Sequence, residues 1–228
     1  MSESRIILAV DTKEIQTAKS VIEKTRDYVG VYKLGLEFFL ANGIAGVKEI
    51  TTYNSDIQIF LDLKLHDIPN TVEKAASNLS SLPLKYLTVH ASGGAAMISG
   101  AVKALPKCKI VGVTLLTSID KEELSKLGID KSPEEMVISL AQRAVAGGAR
   151  AIVCSPLEVK ALREILPREI DLITPGIRFE KGGDDQVRTM TPIEAVSAGA
   201  DYLVVGRPIT GASDITEASK RIYESIHN

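Results

Sequence analysis

A (β/α)8 barrel, the TIM barrel architecture, is the fold class that this sequence predicts, and three observations predict it. About eight strand-like runs alternate with helix-like stretches over 228 residues, close to the size of such a barrel. The runs are continuous in Val, Ile and Leu, as suits parallel strands covered by helices on both faces. Charged and hydroxyl residues then gather where the runs end, the face on which such barrels carry their chemistry. With 45% hydrophobic residues the chain can bury a full core, and no linker interrupts the alternation, so one domain over residues 1–228 is expected. An open doubly wound sheet is the competing architecture. It calls for a Gly-rich loop after the first strand, where Asp11-Thr12-Lys13 stands instead.

Each element follows from its own pattern. Residues 5–11 form a nearly continuous apolar run closed by Asp11, and Ile15, Ala18, Val21 and Ile22 give residues 12–28 helical spacing. A strand over 29–34 carries Lys33 near its end, and a helix follows over 37–53. The strand over 57–65 precedes a helix from Pro69 to about Leu82, and the strand over 85–90 precedes one over 94–105. Residues 109–116 form the fifth strand, followed by two amphipathic segments, 121–127 and 133–146. Three further pairs complete the series: 151–154 with 157–166, 172–175 with 192–198 beyond a Gly-rich loop, and 202–206 with a terminal helix ending near Ile226. Strand ends therefore fall near Asp11, Lys33, Lys64, His90, Thr117, Pro175 and Gly206.

Composition narrows the partners. Lys and Arg number 27 against 29 Asp and Glu, so the net charge of -2 gives no electrostatic reason to expect nucleic acid or an anionic membrane as partner. A small-molecule ligand is expected. Cys108 and Cys154 lack metal-ligand spacing and sit in apolar runs, where Cys behaves as a small hydrophobe. No basic and apolar leader precedes the first strand, and no run is apolar enough to span a bilayer, so a soluble cytoplasmic protein is expected.

The chemistry centres on Asp62-Leu63-Lys64-Leu65-His66-Asp67-Ile68-Pro69-Asn70-Thr71. Strand periodicity sends Asp62 and Lys64 to the same side. Charges in a buried strand need partners, because each loses several kcal/mol of hydration, roughly. Asp67 lies just past the strand, and Pro69 offers a helix start. A structural ion pair at a sheet edge is the competing reading of the Asp-x-Lys pair alone.

Other strand ends supply candidate ligands. Gly206-Arg207-Pro208 places a bare backbone N–H and a guanidinium after the last strand, where such barrels often hold phosphate, so a phosphate ester is the expected ligand. Thr174-Pro175-Gly176-Ile177-Arg178 opens a loop continuing through Gly182-Gly183-Asp184-Asp185-Gln186, in which Arg178 or Gln186 could favour closure over a ligand. Thr117 and Ser118 offer hydroxyls to a heterocycle edge, or caps to the following helix. His90 reads as a satisfied strand-end histidine or as a base.

Taken together, Asp62-x-Lys64-x-x-Asp67-Ile68-Pro69-Asn70-Thr71, Asp11, Lys33, Leu116-Thr117-Ser118, Thr174 to Arg178 and Val205-Gly206-Arg207-Pro208 resemble the bacterial-type orotidine 5'-phosphate decarboxylase family. The resemblance runs in order from Ile7 to the last helix. It implies a homodimeric TIM barrel that converts orotidine 5'-phosphate to UMP and CO2 without metal or organic cofactor, in de novo pyrimidine synthesis. It further implies that Lys64 protonates C6 within a charged network of Lys33, Asp62, Lys64 and the partner subunit's Asp67. By the same resemblance Asp11 and Lys33 bind ribose hydroxyls near the partner subunit's Thr71, Asp62 also lies against the substrate, and Thr117 faces the pyrimidine. Gln186, Gly206 and Arg207 hold the phosphate, with Arg178 in the same loop region.

The residue types suit that reaction. Loss of CO2 from C6 leaves a poorly delocalised carbanion, so the barrier must fall by roughly 20 kcal/mol or more. A fixed ammonium at the carbanion supplies both electrostatic stabilisation and a proton, and flanking carboxylates oppose its desolvation. The nearest alternative is a Mg-dependent sugar-phosphate decarboxylase or aldolase on the same barrel, against which Lys33 places a cation where a metal needs a carboxylate. A nucleotide sensor without turnover is the rival from another class.

Overall fold

The computed structural model describes residues 4–54, 56–179 and 189–227. Eight parallel strands close into a barrel in sequence order, so every strand pairs with its chain neighbours and the first pairs with the last. They are β1 (Ile6–Ala9), β2 (Val31–Gly35), β3 (Gln58–Leu65), β4 (Leu84–His90), β5 (Lys109–Val113), β6 (Ala151–Val153), β7 (Asp171–Thr174) and β8 (Tyr202–Val205). The expected fold class is the observed one.

The helices wrap the barrel as α1 (Ile15–Thr25), α2 (Leu36–Tyr53), α3 (Pro69–Ser77), α4 (Ala95–Ala104), α5 (Lys121–Lys126), α6 (Pro133–Ala146), α7 (Val159–Ile165), α8 (Pro192–Ala198), α9 (Arg207–Thr210) and α10 (Ile215–His227). The expected bounds of α6 and α8 match because each start is written locally. Ser132 and Thr191 cap the first turn, Pro133 and Pro192 fit the first helical position, and Glu135 and Glu194 close the capping box. Where no such signal exists the bounds move. α3 ends at Ser77 rather than near Leu82, and β5 stops at Val113, which frees Leu115 to Thr117 to form a loop at the barrel mouth. α5 is capped by Asp120, whose carboxylate accepts from the Glu123 N–H, so the capping role open to Thr117 and Ser118 falls elsewhere.

Two apolar layers organise the molecule. Outward-facing strand residues such as Ile6, Leu8, Leu34, Leu61, Leu87 and Val89 pack under the helices. Inward-facing Ile7, Val31, Phe60, Tyr86, Val111, Ala151 and Ile173 fill the barrel. Two residues further along β2 and β3 from Val31 and Phe60, the inward positions become Lys33 and Asp62. The barrel is thus packed with hydrocarbon below and charged at its carboxyl end.

The amino end of the barrel holds a separate polar network. Asp171 accepts from the Tyr86 hydroxyl at 2.7 Å and pairs with Lys109 at 2.6 Å. Lys85 donates to the Tyr202 hydroxyl at 3.0 Å and lies over the Tyr202 ring. These residues sit at or near the starts of β4, β5, β7 and β8, so they link strands across the barrel floor.

Candidate active site

A cavity of about 590 Å3 opens at the carboxyl end of the barrel, within the ~300–1,000 Å3 usual for small-molecule sites. Its charged wall is built by β2 and β3. The Lys64 ammonium stands 2.9 Å from each Asp62 oxygen, and the Lys33 ammonium is 3.4 Å from Asp62 and 3.6 Å from Asp11. Burial of Asp62 opposes its ionisation, but Lys33, Lys64 and the hydrogen bonds from Lys64 and Thr88 outweigh it and hold the carboxyl below its ordinary range. Asp62 is therefore a carboxylate at neutral pH.

The sequence places Asp62 and Lys64 correctly on one side, but the backbone does not reach that arrangement by regular strand geometry. Between the Leu61–Leu87 and Leu65–Val89 pairs, three residues of β3 stand opposite Thr88 alone. Lys64 adopts φ 47°, the sole positive φ among described non-glycine residues. Such a conformation costs ~1–3 kcal/mol and persists only where the surroundings fix it. Its N–H, turned out of the ladder, donates to the Thr88 hydroxyl at 2.8 Å.

The rest of the cavity comes from other strand ends. Thr117 and Leu116 follow β5, Pro175, Gly176 and Arg178 follow β7, and Gly206 and Arg207 follow β8. Phe60, Val113, Leu115, Val153, Cys154 and Val204 give it an apolar floor. Eight expected site residues thus meet in one cavity: Asp11, Lys33, Asp62, Lys64, Thr117, Arg178, Gly206 and Arg207. Asp67 and Thr71 do not line it. Both are exposed, and Asp67 accepts a hydrogen bond from the Ile68 N–H at 2.6 Å. Gln186, with Gly182 to Asp185, lies outside the described residues, though Ile177 pairs with Met190 at the base of that loop. No group of three or more His, Cys, Asp or Glu side chains suited to a metal occurs among the described residues.

Burial, the neighbouring His66 ring at 5.3 Å and the Lys64 charge lower the pKa of His90, with Asp62 opposing. Cys154 lines the cavity as an apolar surface, since burial pushes its thiol up to about 12. Cys108, also free, is raised likewise to about 12 by burial. Thr88 is the polar residue that sequence reasoning missed. Its signal was a hydroxyl at an inward position in the apolar run of β4, two residues from both Tyr86 and His90.

The model for the orotidine 5'-phosphate decarboxylase / HUMPS family matches residues 4–222. The chain belongs to that family. Orotidine 5'-phosphate decarboxylase of Wolbachia pipientis subsp. Culex pipiens is 45% identical over 223 residues, covering 97% of this chain and 98% of the relative. The enzyme of that name from Sphingopyxis alaskensis is 46% identical over 225 residues, covering 98% and 99%. The crystal structure of orotidine 5'-phosphate decarboxylase from Lactobacillus acidophilus superposes with a TM-score of 0.86 at 36% identity, covering 99% of this chain and all of the other. Membership of the decarboxylase family accounts for the coincidence of Asp62 and Lys64 with Gly206 and Arg207 across one cavity. The Mg-dependent alternative gains no support from these relatives.

Proposed function

We propose that this protein is a carboxy-lyase that decarboxylates orotidine 5'-phosphate to UMP and CO2 in de novo pyrimidine biosynthesis. The observation that carries the reading is the Lys64 ammonium, held by both oxygens of a buried Asp62 at the edge of a cavity that extends to Gly206 and Arg207. In the reaction the bond from C6 to the carboxylate carbon breaks, CO2 departs, and the electron pair stays on C6. Lys64 stabilises that pair as it forms and then transfers a proton from Nζ to C6, regaining one from solvent. Because the ammonium is already fixed, little reorganisation accompanies the step.

Binding is assigned to the groups around it. Asp11 and Lys33 take the ribose hydroxyls, Thr117 faces the pyrimidine, and Arg207 with the Gly206 backbone takes the phosphate, alongside Arg178 and Gln186. Phosphate binding far from C6 contributes energy that assembles the site in the transition state. No step requires a metal or organic cofactor. A spectrophotometric assay on orotidine 5'-phosphate, run with and without EDTA, tests this directly. Loss of substrate with UMP formation, unchanged by EDTA, is the expected result; turnover that vanishes on chelation favours the metal-dependent reading, and UMP binding without CO2 release favours a sensor.

The unit of function is a cytoplasmic homodimer of single-domain subunits. Two features support the dimer: Asp67 is exposed beyond its own cavity, and a recess of about 170 Å3 beside Lys33 and Lys64, walled by Gly35 to Phe38, leaves room for a side chain of a partner subunit. Exposed Leu36, Leu40 and Ile68 supply apolar surface for the contact. In the dimer the partner subunit's Asp67 completes the charged network, with the partner subunit's Thr71 near the ribose. Mixing Lys64→Ala with Asp67→Asn protein checks this. At equal amounts half of the dimers are mixed and each has one intact site, so activity should return to about a quarter of wild type. No recovery after confirmed subunit exchange contradicts the shared site.

A further inference from the structure

We propose that Thr88 is a positioning residue for the decarboxylation, its hydroxyl fixing where the Lys64 ammonium stands relative to Asp62. The inference rests on the reading above and adds a residue outside the cavity lining. Thr88 is fully buried, one inward position above Tyr86 on β4. It faces the stretch of β3 in which Asp62, Leu63 and Lys64 lack paired counterparts in the ladder.

The directions of its hydrogen bonds are determined. A backbone N–H can only donate, so the Thr88 oxygen accepts from Lys64 at 2.8 Å. An ionised carboxylate can only accept, so the Thr88 hydroxyl donates to Asp62 Oδ1 at 3.0 Å. Asp62 in turn accepts from the Lys64 ammonium. A ring therefore closes from the Lys64 backbone through Thr88 and Asp62 to the tip of the same lysine. Within it, one hydroxyl satisfies the amide that the left-handed Lys64 withdraws from the sheet and orients the carboxylate that holds its side chain. Without that hydroxyl the half-buried amide loses its partner, and Lys64 gains by relaxing toward an extended backbone, which moves the ammonium. Misplacement of a reacting group by about 1 Å can cost ~10²-fold in rate.

Thr88→Val keeps the shape and removes both bonds, whereas Thr88→Ser keeps both. With orotidine 5'-phosphate as substrate and UMP binding measured by calorimetry, Thr88→Val should lower kcat at least about tenfold while UMP affinity stays within about threefold. Thr88→Ser should keep kcat within about threefold of wild type. The role of Thr88 is overturned if Thr88→Val loses less than about tenfold, if Thr88→Ser falls as far as Thr88→Val, or if kcat and UMP affinity fall together. Should Thr88→Val not fold, Thr88→Cys, of similar size but with a weak donor and acceptor, is held to the same thresholds. Wild-type protein in the same assay separates the two claims: no turnover overturns both the function and this role, whereas turnover with an unaffected Thr88→Val overturns this role alone.

Discussion

The barrel carries a charged network at each end, and the two are built on opposite principles. At the floor, Asp171 receives a hydroxyl and an ammonium, Lys85 caps Tyr202, and β4 pairs with β5 in unbroken register, its one-residue shift against β3 at Lys85 involving no left-handed residue. At the mouth, two ammonium groups converge on one buried carboxylate, and one of the two lysines, Lys64, is held in a left-handed backbone conformation. The floor's donors and acceptors join strands to one another, whereas the charges of the mouth line an open cavity. The difference separates stability from chemistry along a single axis, as barrels of this class do.

Variants at the floor should therefore alter stability and spare turnover. Asp171→Ala leaves the buried Tyr86 hydroxyl without its acceptor and should cost roughly 2–3 kcal/mol. For a chain of this length that lowers Tm by about 4–12 °C. Tyr86→Phe, which leaves Asp171 its lysine, should cost only about 1 kcal/mol. Thermal melts together with kcat check both, and a floor variant that keeps its Tm but loses kcat breaks the division.

A smaller effect is expected near the mouth. The pKa of His90 lies below 6.5 in the fold, mainly through burial, then through His66 and Lys64, against a favourable contribution from Asp62. The unfolded chain thus binds the extra proton first as pH falls through 6.5, and folding is weakened from there down to the lowered value. His90→Asn removes this dependence. Partial exposure screens the effect, so the Tm difference between variant and wild type should move by only about a degree or two in favour of the variant between about pH 7.5 and 5.5. Parallel Tm–pH curves would assign His90 no part in the balance.

Much of this molecule was legible in its residues, for identifiable reasons. Apolar runs and their spacing fixed the eight strand and helix alternations, and the helices expected over 133–146 and 192–198 match to the residue because Pro-initiated capping boxes at Ser132 and Thr191 fix their starts. Asp62 and Lys64 were legible as a pair because charge inside an apolar strand demands a partner. The left-handed turn at Lys64 was not, since the displaced ladder that produces it depends on how β3 and β4 meet across the barrel. Thr88 was hidden for the same reason: its partners lie 24 and 26 residues away. The floor likewise joins Tyr86 to Asp171 over 85 residues, and no local pattern encodes that contact.

One substitution tests whether the mouth does its work through a single ammonium. Lys64→Ala should remain folded and bind UMP, yet release UMP and CO2 from orotidine 5'-phosphate at least about 10³-fold more slowly than wild type under identical conditions. A folded variant that retains activity within about tenfold of wild type would contradict the account, because that loss amounts to only ~1.4 kcal/mol of transition-state stabilisation.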